Sequence, residues 1–366
     1  MALVVGASGR MAAEMLTRLG FECSVLDLFG DFDASGICDG RVMKIDELAQ
    51  AADHALNTRM YEFIVFTGGL ESSAAVAEKL AQEGRAAFAS SESIKLLTCP
   101  DVFNEALAVA DVNWFPFFQD SRQLDGPYVR KKIHHSGTAE LVESKDFKAR
   151  SNSRSTVFQK YIAGDSVSLI FVANQSGVQC LGGSEQLTES LSWVGSISGL
   201  QLAEDELQSA IKFAEILAQL SKIVGVFGID FIRNQKGLCP VDINPRIPAS
   251  AEVVGDHVIS SHLRAFGIDC ESTVPNNESV RGKLVVFNSL GGPVRFERNC
   301  LADLPIRYLN PSAEVSIADV PNDNEIIEVG RPVLTVFSSG RDAKEVRSKL
   351  SSLREEILKK VACYWK

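Results

Sequence analysis

Apolar residues in the first ninety positions fall into short unbroken runs separated by amphipathic stretches. Runs at 2–5, 23–28 and 63–66 alternate with helical patterns over 10–19 and 72–83. A strand buried on both faces has no polar side to alternate with, so this texture predicts a parallel sheet sandwiched by helices. Beyond residue 90 the texture changes. Residues 91–126 read as a helix-rich connector ending in Asp125-Gly126-Pro127, and 128–133 as a strand entering a polar loop at 134–138. Strands are predicted at 157–162 and 166–173, and the small residues around 196–199 predict a loop. Leu207, Ile211, Ala214, Leu217 and Leu220 recur at spacings of three and four, which predicts a long amphipathic helix with Gly225 as its C′ glycine. Strands at 283–287, 293–296 and 333–338 then lie among Pro, Gly and Asn turns. A last helix opens on the pair Asp342 and Glu345 and is faced by Val346, Leu350, Leu353 and Ile357. There is no internal repeat and no low-complexity tract.

Composition narrows the class. A chain of 366 residues holds two or three domains, and 45% hydrophobic with 23% charged residues is globular. No apolar run approaches the roughly 18 residues of a membrane span, and the opening Met-Ala-Leu-Val-Val-Gly lacks a basic leader region, so a cytoplasmic protein is expected. The net charge of −10 argues against nucleic acid as a partner but not against a local site for one nucleotide. Eight cysteines without a Cys-x-x-Cys pair fit a reducing compartment, and most are expected to be buried thiols.

Two segments carry candidate chemistry. The first is the turn Gly6-Ala7-Ser8-Gly9, with Asp27 closing the next strand. Glycines at a strand-to-helix turn and an acid about 20 residues on resemble a dinucleotide fingerprint. The full Gly-x-Gly-x-x-Gly is absent, and tight strand–helix turns want glycine on conformational grounds alone. The second segment is 225–246, where two apolar-alternating runs flank the polar 234–237 and read as a β-hairpin. A turn centred on Lys236 sets Asp230 directly across from Asp242, with Asn244 on the same face. Like charges opposed on adjacent strands repel, so a cation belongs between them. Oxygen donors of this kind suit a hard divalent ion that keeps positions open for phosphates and water. Arg246 follows within reach.

The hairpin ending in Asp242-Ile-Asn244-Pro-Arg246 resembles the metal-binding hairpin of the ATP-grasp superfamily, whose usual form is Glu-x-Asn-Pro-Arg. Two further stretches fit in order. Phe158-Gln159-Lys160-Tyr161-Ile162-Ala-Gly164-Asp165 is similar to the segment joining the two ATP-binding lobes. Arg130-Lys131-Lys132-Ile-His134-His135-Ser136-Gly137-Thr138 is similar to the strand lysine and phosphate loop. The spans from Phe158 to Phe171 and from Asn244 to Ser250 look most like a branch of ATP-dependent carboligases related to biotin carboxylase. That branch is associated with methanofuran and tetrahydromethanopterin one-carbon metabolism, where glutamate-type ligations build the cofactors.

The resemblance implies an α/β and α+β architecture: a Rossmann-like pre-ATP-grasp domain (1–92), a small ATP-grasp lobe (93–160), a large lobe with the metal hairpin (161–272) and a β-rich C-terminal segment with a terminal helix (273–366). It implies ATP and Mg²⁺ or Mn²⁺ as cofactors, small-molecule carboxylate and amine substrates between the N-terminal domain and the lobes, and no nucleic acid or membrane; a homodimer is one open assembly. Asp230, Asp242 and Asn244 would hold the metal, while Lys131 or its neighbour Lys132, Ser136, Gly137 and Lys95 would meet phosphates. Gln159, the backbone of Lys160, Tyr161 and Ile162, and Asp165 would hold adenine and ribose. Arg246 and Lys131 would serve catalysis. His134 and His135 read as solvent-facing or phosphate-contacting, and His257 and His262 as candidates for the acceptor-pocket wall. Two departures stand out: Thr138 interrupts the glycine run, and Asp242 replaces the usual Glu, shortening the reach by about 1.5 Å. The expectation is an ATP-dependent carboxylate–amine ligase working through an acyl phosphate. The alternatives are an NAD(P)-dependent oxidoreductase built on the Gly6 to Asp27 turn, and a nucleotide-binding protein that has lost catalysis.

Overall fold

The computed structural model describes residues 1–57, 61–69, 72, 74–82, 84–110, 115–121, 125–132, 139–142, 156–271 and 279–362. The N-terminal unit contains β1 (Ala2–Gly6), α1 (Arg10–Arg18), β2 (Cys23–Asp27), α2 (Phe32–Ile37), β3 (Val42–Lys44), α3 (Leu48–Asn57), β4 (Phe63–Phe66), α4 (Ala74–Ala81) and β5 (Ala86–Ala87). Its strands form a parallel sheet in the order β3-β2-β1-β4-β5. Every residue of β1, β2 and β4 is buried, as the unbroken apolar runs predict.

Helices α5 (Ser91–Leu97) and α6 (Pro100–Ala110) lead to a small three-stranded sheet, β7-β6-β8, made of β6 (Tyr128–Lys132), β7 (Ala139–Val142) and β8 (Thr156–Lys160). Next come β9 (Asp165–Asn174), β10 (Gly177–Glu189), β11 (Ser192–Ser198), α7 (Glu204–Ser221), β12 (Gly225–Asn234), β13 (Gly237–Asn244), α8 (Ala251–Val254) and α9 (His257–Ala265). The remainder is β14 (Val280–Phe287), β15 (Val294–Arg295), β16 (Val315–Ala318), β17 (Ile326–Ile327), β18 (Pro332–Gly340) and α10 (Ala343–Ala362). Eight of these strands make one antiparallel sheet, β13-β12-β9-β10-β11-β14-β18-β16. The last three continue the sheet that holds the hairpin, because β11 pairs with β14.

One face of the large sheet is covered by α7, which buries Ala210, Phe213, Ala214 and Leu217 as its spacing predicts. Phe103 of α6 stacks on Phe117 at 4.3 Å and meets Phe213 edge-on at 5.8 Å, tying the segment before the small sheet to that helix. Helix α10 lies on β14 and β18 with Val346, Leu350, Leu353 and Ile357 buried. Its first turn is held by Glu345 N–H donating to Asp342 Oδ1 at 2.8 Å.

Two local expectations fail. Gly225 is not the cap of α7: Lys222 takes the left-handed conformation there (φ 53°), and Gly225 opens β12. A side chain at 225 would sit 2.6 Å from the Phe266 ring, so glycine is required by close approach. Residues 196–198 are strand, not loop: Ser196 pairs with Lys283 and Ile197 with Gly282 of the neighbouring β14. Among the cysteines of the described residues only Cys23, Cys38 and Cys239 are buried, so thiol burial is narrower than expected. No described helix is long and apolar enough to cross a membrane.

Candidate functional site

Strands β12 and β13 set Asp230 opposite Asp242 and Gly228 opposite Asn244. The turn is a two-residue one, with Asn234 opposite Gly237, and the register shifts by one residue between Asp230 and Phe231. A regular ladder from that turn would face Asp230 with Val241 and send Asp242 to the other side of the sheet. The extra residue, Val241, forms a bulge that brings Asp242 back. The carbonyl of Val241 then accepts from Lys131 Nζ at 2.7 Å. Lys131 also donates to Gln159 Oε1 at 3.0 Å, and Gln159 Nε2 donates to the Phe115 carbonyl at 2.9 Å. The ammonium lies 5.4 Å from the Phe117 ring centroid. Burial draws the Lys131 pKa down, and the charges of Asp242 and Asp230 oppose that.

Asp230 Oδ1 accepts from Gln186 Nε2 at 2.9 Å and Oδ2 from Asn244 Nδ2 at 3.2 Å. Ser168, directly across on β9, also hydrogen-bonds the carboxylate. Gln186 is oriented by the Ser166 hydroxyl, which donates to its Oε1 at 2.6 Å. Asn244 Oδ1 accepts from Arg246 Nη2 at 3.2 Å. Burial first, and the facing Asp242 second, push the Asp230 carboxyl up to about 6 against the pull of Ser168, Asn244 and Arg246. Among the described residues no histidine, cysteine or third carboxylate joins the pair. Two carboxylates and an amide are the hard oxygen donors that suit Mg²⁺ sharing its other positions with phosphates and water.

This cluster borders a cleft of about 1160 Å³. The same cleft is lined by Lys131, Lys132, Gln159, Lys160, Tyr161, Ile162 and Asp165, by Ala7 and Ser8 of the N-terminal unit, and by Lys283 and Asp319. The cleft is large enough for a nucleotide and a second small molecule.

Residues 106–250 match the ATP-grasp domain family. The chain carries an ATP-grasp domain. Its fold is similar along nearly its whole length to N5-carboxyaminoimidazole ribonucleotide synthetase from Thermus thermophilus, at 15% identity and TM-score 0.70, covering 97% of this chain and 98% of that one. It is similar to N5-carboxyaminoimidazole synthase from Aspergillus clavatus, solved with ADP and 5-aminoimidazole ribonucleotide, at 17% identity and TM-score 0.69, covering 97% and 98%. It is also similar to the biotin carboxylase domain of Hydrogenobacter thermophilus 2-oxoglutarate carboxylase, solved with MgADP and bicarbonate, at 12% identity and TM-score 0.71, covering 96% and 88%. No curated protein sequence matches the chain.

Within the ATP-grasp fold the expected site residues separate. Asp230, Asp242, Asn244, Arg246, Lys131, Gln159, Lys160, Tyr161, Ile162 and Asp165 all border the one cleft. Lys160 Nζ lies 5.1 Å from the Phe115 ring centroid, and Tyr161 N–H donates to the Pro127 carbonyl at 3.0 Å. Both ends of the Gln159 amide are engaged with Lys131 and Phe115, so it positions the lysine rather than reading adenine. Lys95 is outside the cleft: α5 turns Ser93, Ile94 and Leu97 inward, which leaves Lys95 exposed beside Glu78 at 3.9 Å. Ser136, Gly137, Thr138, His134 and His135 lie outside the described residues.

Neither candidate histidine borders the cleft. His262 is buried, accepts from Val226 N–H at 3.0 Å and donates to the Ala87 carbonyl at 2.8 Å, and burial pushes its pKa down to about 4. His257 donates to the Leu181 carbonyl at 2.8 Å. The Gly6 turn is also occupied from within. Asp27 accepts from the backbone N–H groups of Gly9 (2.8 Å), Gly30 (2.7 Å) and Phe29 (3.2 Å), so the carboxylate needed for a ribose is already consumed. A side chain at Gly9 would come within 2.5 Å of Val25, which explains that glycine by packing. The dinucleotide alternative therefore loses both of its elements.

Gln186 escaped the sequence reading, and Ser168 entered it only within the span from Phe158 to Phe171 and with no role, because pairing of β9 with both β10 and β12 is long-range. Gln186→Leu is expected to raise the Mg²⁺ concentration needed for half-maximal nucleotide turnover by roughly tenfold, the usual scale for a group that orients a metal ligand. A Mg²⁺ titration of ADP release checks this, and an unchanged midpoint would remove Gln186 from the site.

Proposed function

We propose that the protein is an ATP- and Mg²⁺-dependent ligase that joins a carboxylate to an amine through an acyl phosphate. The observation that carries this reading is Asp230 held face to face with Asp242 in a cleft that also contains Lys131 and Arg246. Two acids kept together at the cost of mutual repulsion mark a cation site. Asp230, Asp242 and Asn244 would hold the metal, which when bound neutralises phosphate oxygens. Lys131, fixed by Val241 and Gln159, supplies a point charge for the phosphates. Arg246 offers a forked guanidinium to the donor carboxylate and then to its phosphorylated form.

In the first step a carboxylate oxygen attacks the γ-phosphorus and the bond to ADP breaks. In the second the amine nitrogen attacks the carbonyl carbon, phosphate leaves with the bonding electrons and the amine proton is lost. Positioning and charge suffice for both, so no side-chain nucleophile is required.

The donor separates two forms of the reading. Motif likeness favours a glutamate-type donor in assembly of a one-carbon cofactor, with the protein working in the cytoplasm. Likeness of fold to carboxylating enzymes favours bicarbonate. An ADP-release assay with Mg-ATP, an amine, and either glutamate or bicarbonate under carbon dioxide-free conditions distinguishes them. ADP is expected only when carboxylate and amine are both present, and ¹⁸O from a labelled carboxylate is expected in the released phosphate. ADP release without ¹⁸O transfer would overturn the acyl-phosphate route.

A further inference from the structure

Resting on the ligase reading, the part of the cleft lined by Arg10, Lys283 and Asp319 indicates what the second substrate carries. Arg10, 1% exposed, is bonded to Glu14, Glu252 and Asp319, and Lys283 Nζ meets Glu252 Oε2 at 2.9 Å. Arg307 lies 3.4 Å from Glu14 and 3.5 Å from Glu252. Asp33 is 3.8 Å from Arg10 and accepts the backbone N–H groups of Asp319 and Val320 at 2.9 Å each. Arg18 joins the junction through Glu14 and Asp256, and Asp27, Asp31 and Asp33 crowd it from the N-terminal unit, where burial first and the charge of Asp319 next push the Asp31 carboxyl up. Acids thus outnumber cations there, and of these acids Asp319, although paired with Arg10, is the one that borders the cleft. Its side chain is 24% exposed and borders the cleft, while Arg10 and Thr335 fix its orientation.

A second observation, at the start of the helix that carries Glu252, points to a ligand beside this junction. Ser250 borders the cleft, is 4% exposed, and its hydroxyl has no hydrogen-bond partner. Buried hydroxyls without partners are uncommon unless something else supplies one. The chain of contacts Asp319–Arg10–Glu252–Lys283 continues to Trp193, whose ring centroid lies 5.6 Å from Lys283 Nζ. Trp193, Leu191 and Phe287 give this part of the cleft an apolar wall. Leu191 is held there at the tip of the β10–β11 hairpin, with Ser190 and Leu191 both left-handed (φ 48° and 68°) where Asn and Gly are usual, and it is 37% exposed.

We infer that the second substrate is an ammonium compound with an apolar body, its cation against Asp319 and the Ser250 hydroxyl and its body along Leu191, Trp193 and Phe287. The cleft then has a polarity that suits its reaction: a cationic Arg246 for the carboxylate, and an anionic Asp319 for the amine partner.

The test compares 4-phenylbutylamine with 4-phenylbutan-1-ol by calorimetry at pH 7, on the full chain with and without Mg²⁺ and a non-hydrolysable ATP analogue. The amine is expected to bind about tenfold more tightly than the alcohol, as a charge-assisted contact gives. Asp319→Asn is expected to bring the two affinities together, and Leu191→Gly to weaken both alike. Equal binding of amine and alcohol to the wild type overturns the inference, even if Asp319→Asn fails to fold. So does a folded Asp319→Asn protein that keeps the preference. If the ATP analogue binds and the amine preference is absent, this inference fails alone; if the analogue does not bind, the ligase reading fails separately.

Discussion

Asp230→Asn is expected to give a folded protein that is more stable than the wild type at pH 8 in a metal chelator, yet releases no ADP. In the metal-free protein the Asp230 carboxyl is pushed up to about 6, by burial and by Asp242, from an ordinary value near 3.8. A carboxyl whose pKa is higher folded than unfolded stabilises the fold at low pH, and that contribution disappears as pH rises through the folded value. Above pH 6 the native state must carry the charge, at a cost of about 3 kcal/mol at most, since each unit is 1.36 kcal/mol. Partial access to water lowers this, so a gain of about 1–2 kcal/mol is expected for the variant at pH 8, and none at pH 4. Mg-ATP should reverse the order: at a hundred times its dissociation constant a ligand adds about 2.7 kcal/mol, but only to a protein that still binds it. Denaturant unfolding at pH 4 and pH 8, with chelator and with Mg-ATP, reads all four states. A variant no more stable at pH 8, or one that turns over normally, would falsify the cation site.

Sign of charge, not motif likeness, made this site legible. The facing of Asp230 and Asp242 is predictable from two alternating runs and a polar turn. The route to it is less simple: the turn lies at Gln235 and Lys236, and only the bulge at Val241 restores the expected facing. A bulge has no reliable mark in sequence, and here it also supplies the carbonyl that holds Lys131. The parallel N-terminal sheet was equally plain, because strands buried on both faces cannot hide their composition. What sequence could not reveal was long-range pairing: Ser168 and Gln186 reach Asp230 from strands far away in the chain. Lys95 failed for the opposite reason, since chain order says nothing about which way a short helix turns.

The junction around Arg10 lay wholly beyond such reading, because it joins α1, α8 and the segment at Asp319, which are separated by hundreds of residues. Arg10→Met is expected to destabilise the protein by about 3–5 kcal/mol at pH 7, the scale for removing one partner of a buried ionic set. The loss comes less from missing attraction than from the carboxylates left behind. Burial pushes the Glu252 carboxyl up, but Arg10, Lys283 and Arg307 together draw it well below the usual carboxylate range. A depressed carboxyl contributes stability above its unfolded pKa and loses it only as pH falls through the folded value, so in the wild type this contribution persists far into acid. Without Arg10, Glu252 rises toward protonation, and the deficit of the variant should shrink between pH 7 and pH 5 as it takes up a proton. Urea unfolding at both pH values measures it. A deficit under about 1 kcal/mol at pH 7, or one that grows in acid, would mean that the three segments are held by apolar packing and that Arg10 is a passenger. Because the same arginine fixes Asp319, a destabilised Arg10→Met protein that still folds should also lose its preference for an ammonium ligand while keeping Mg-ATP binding, which separates the two parts of the cleft.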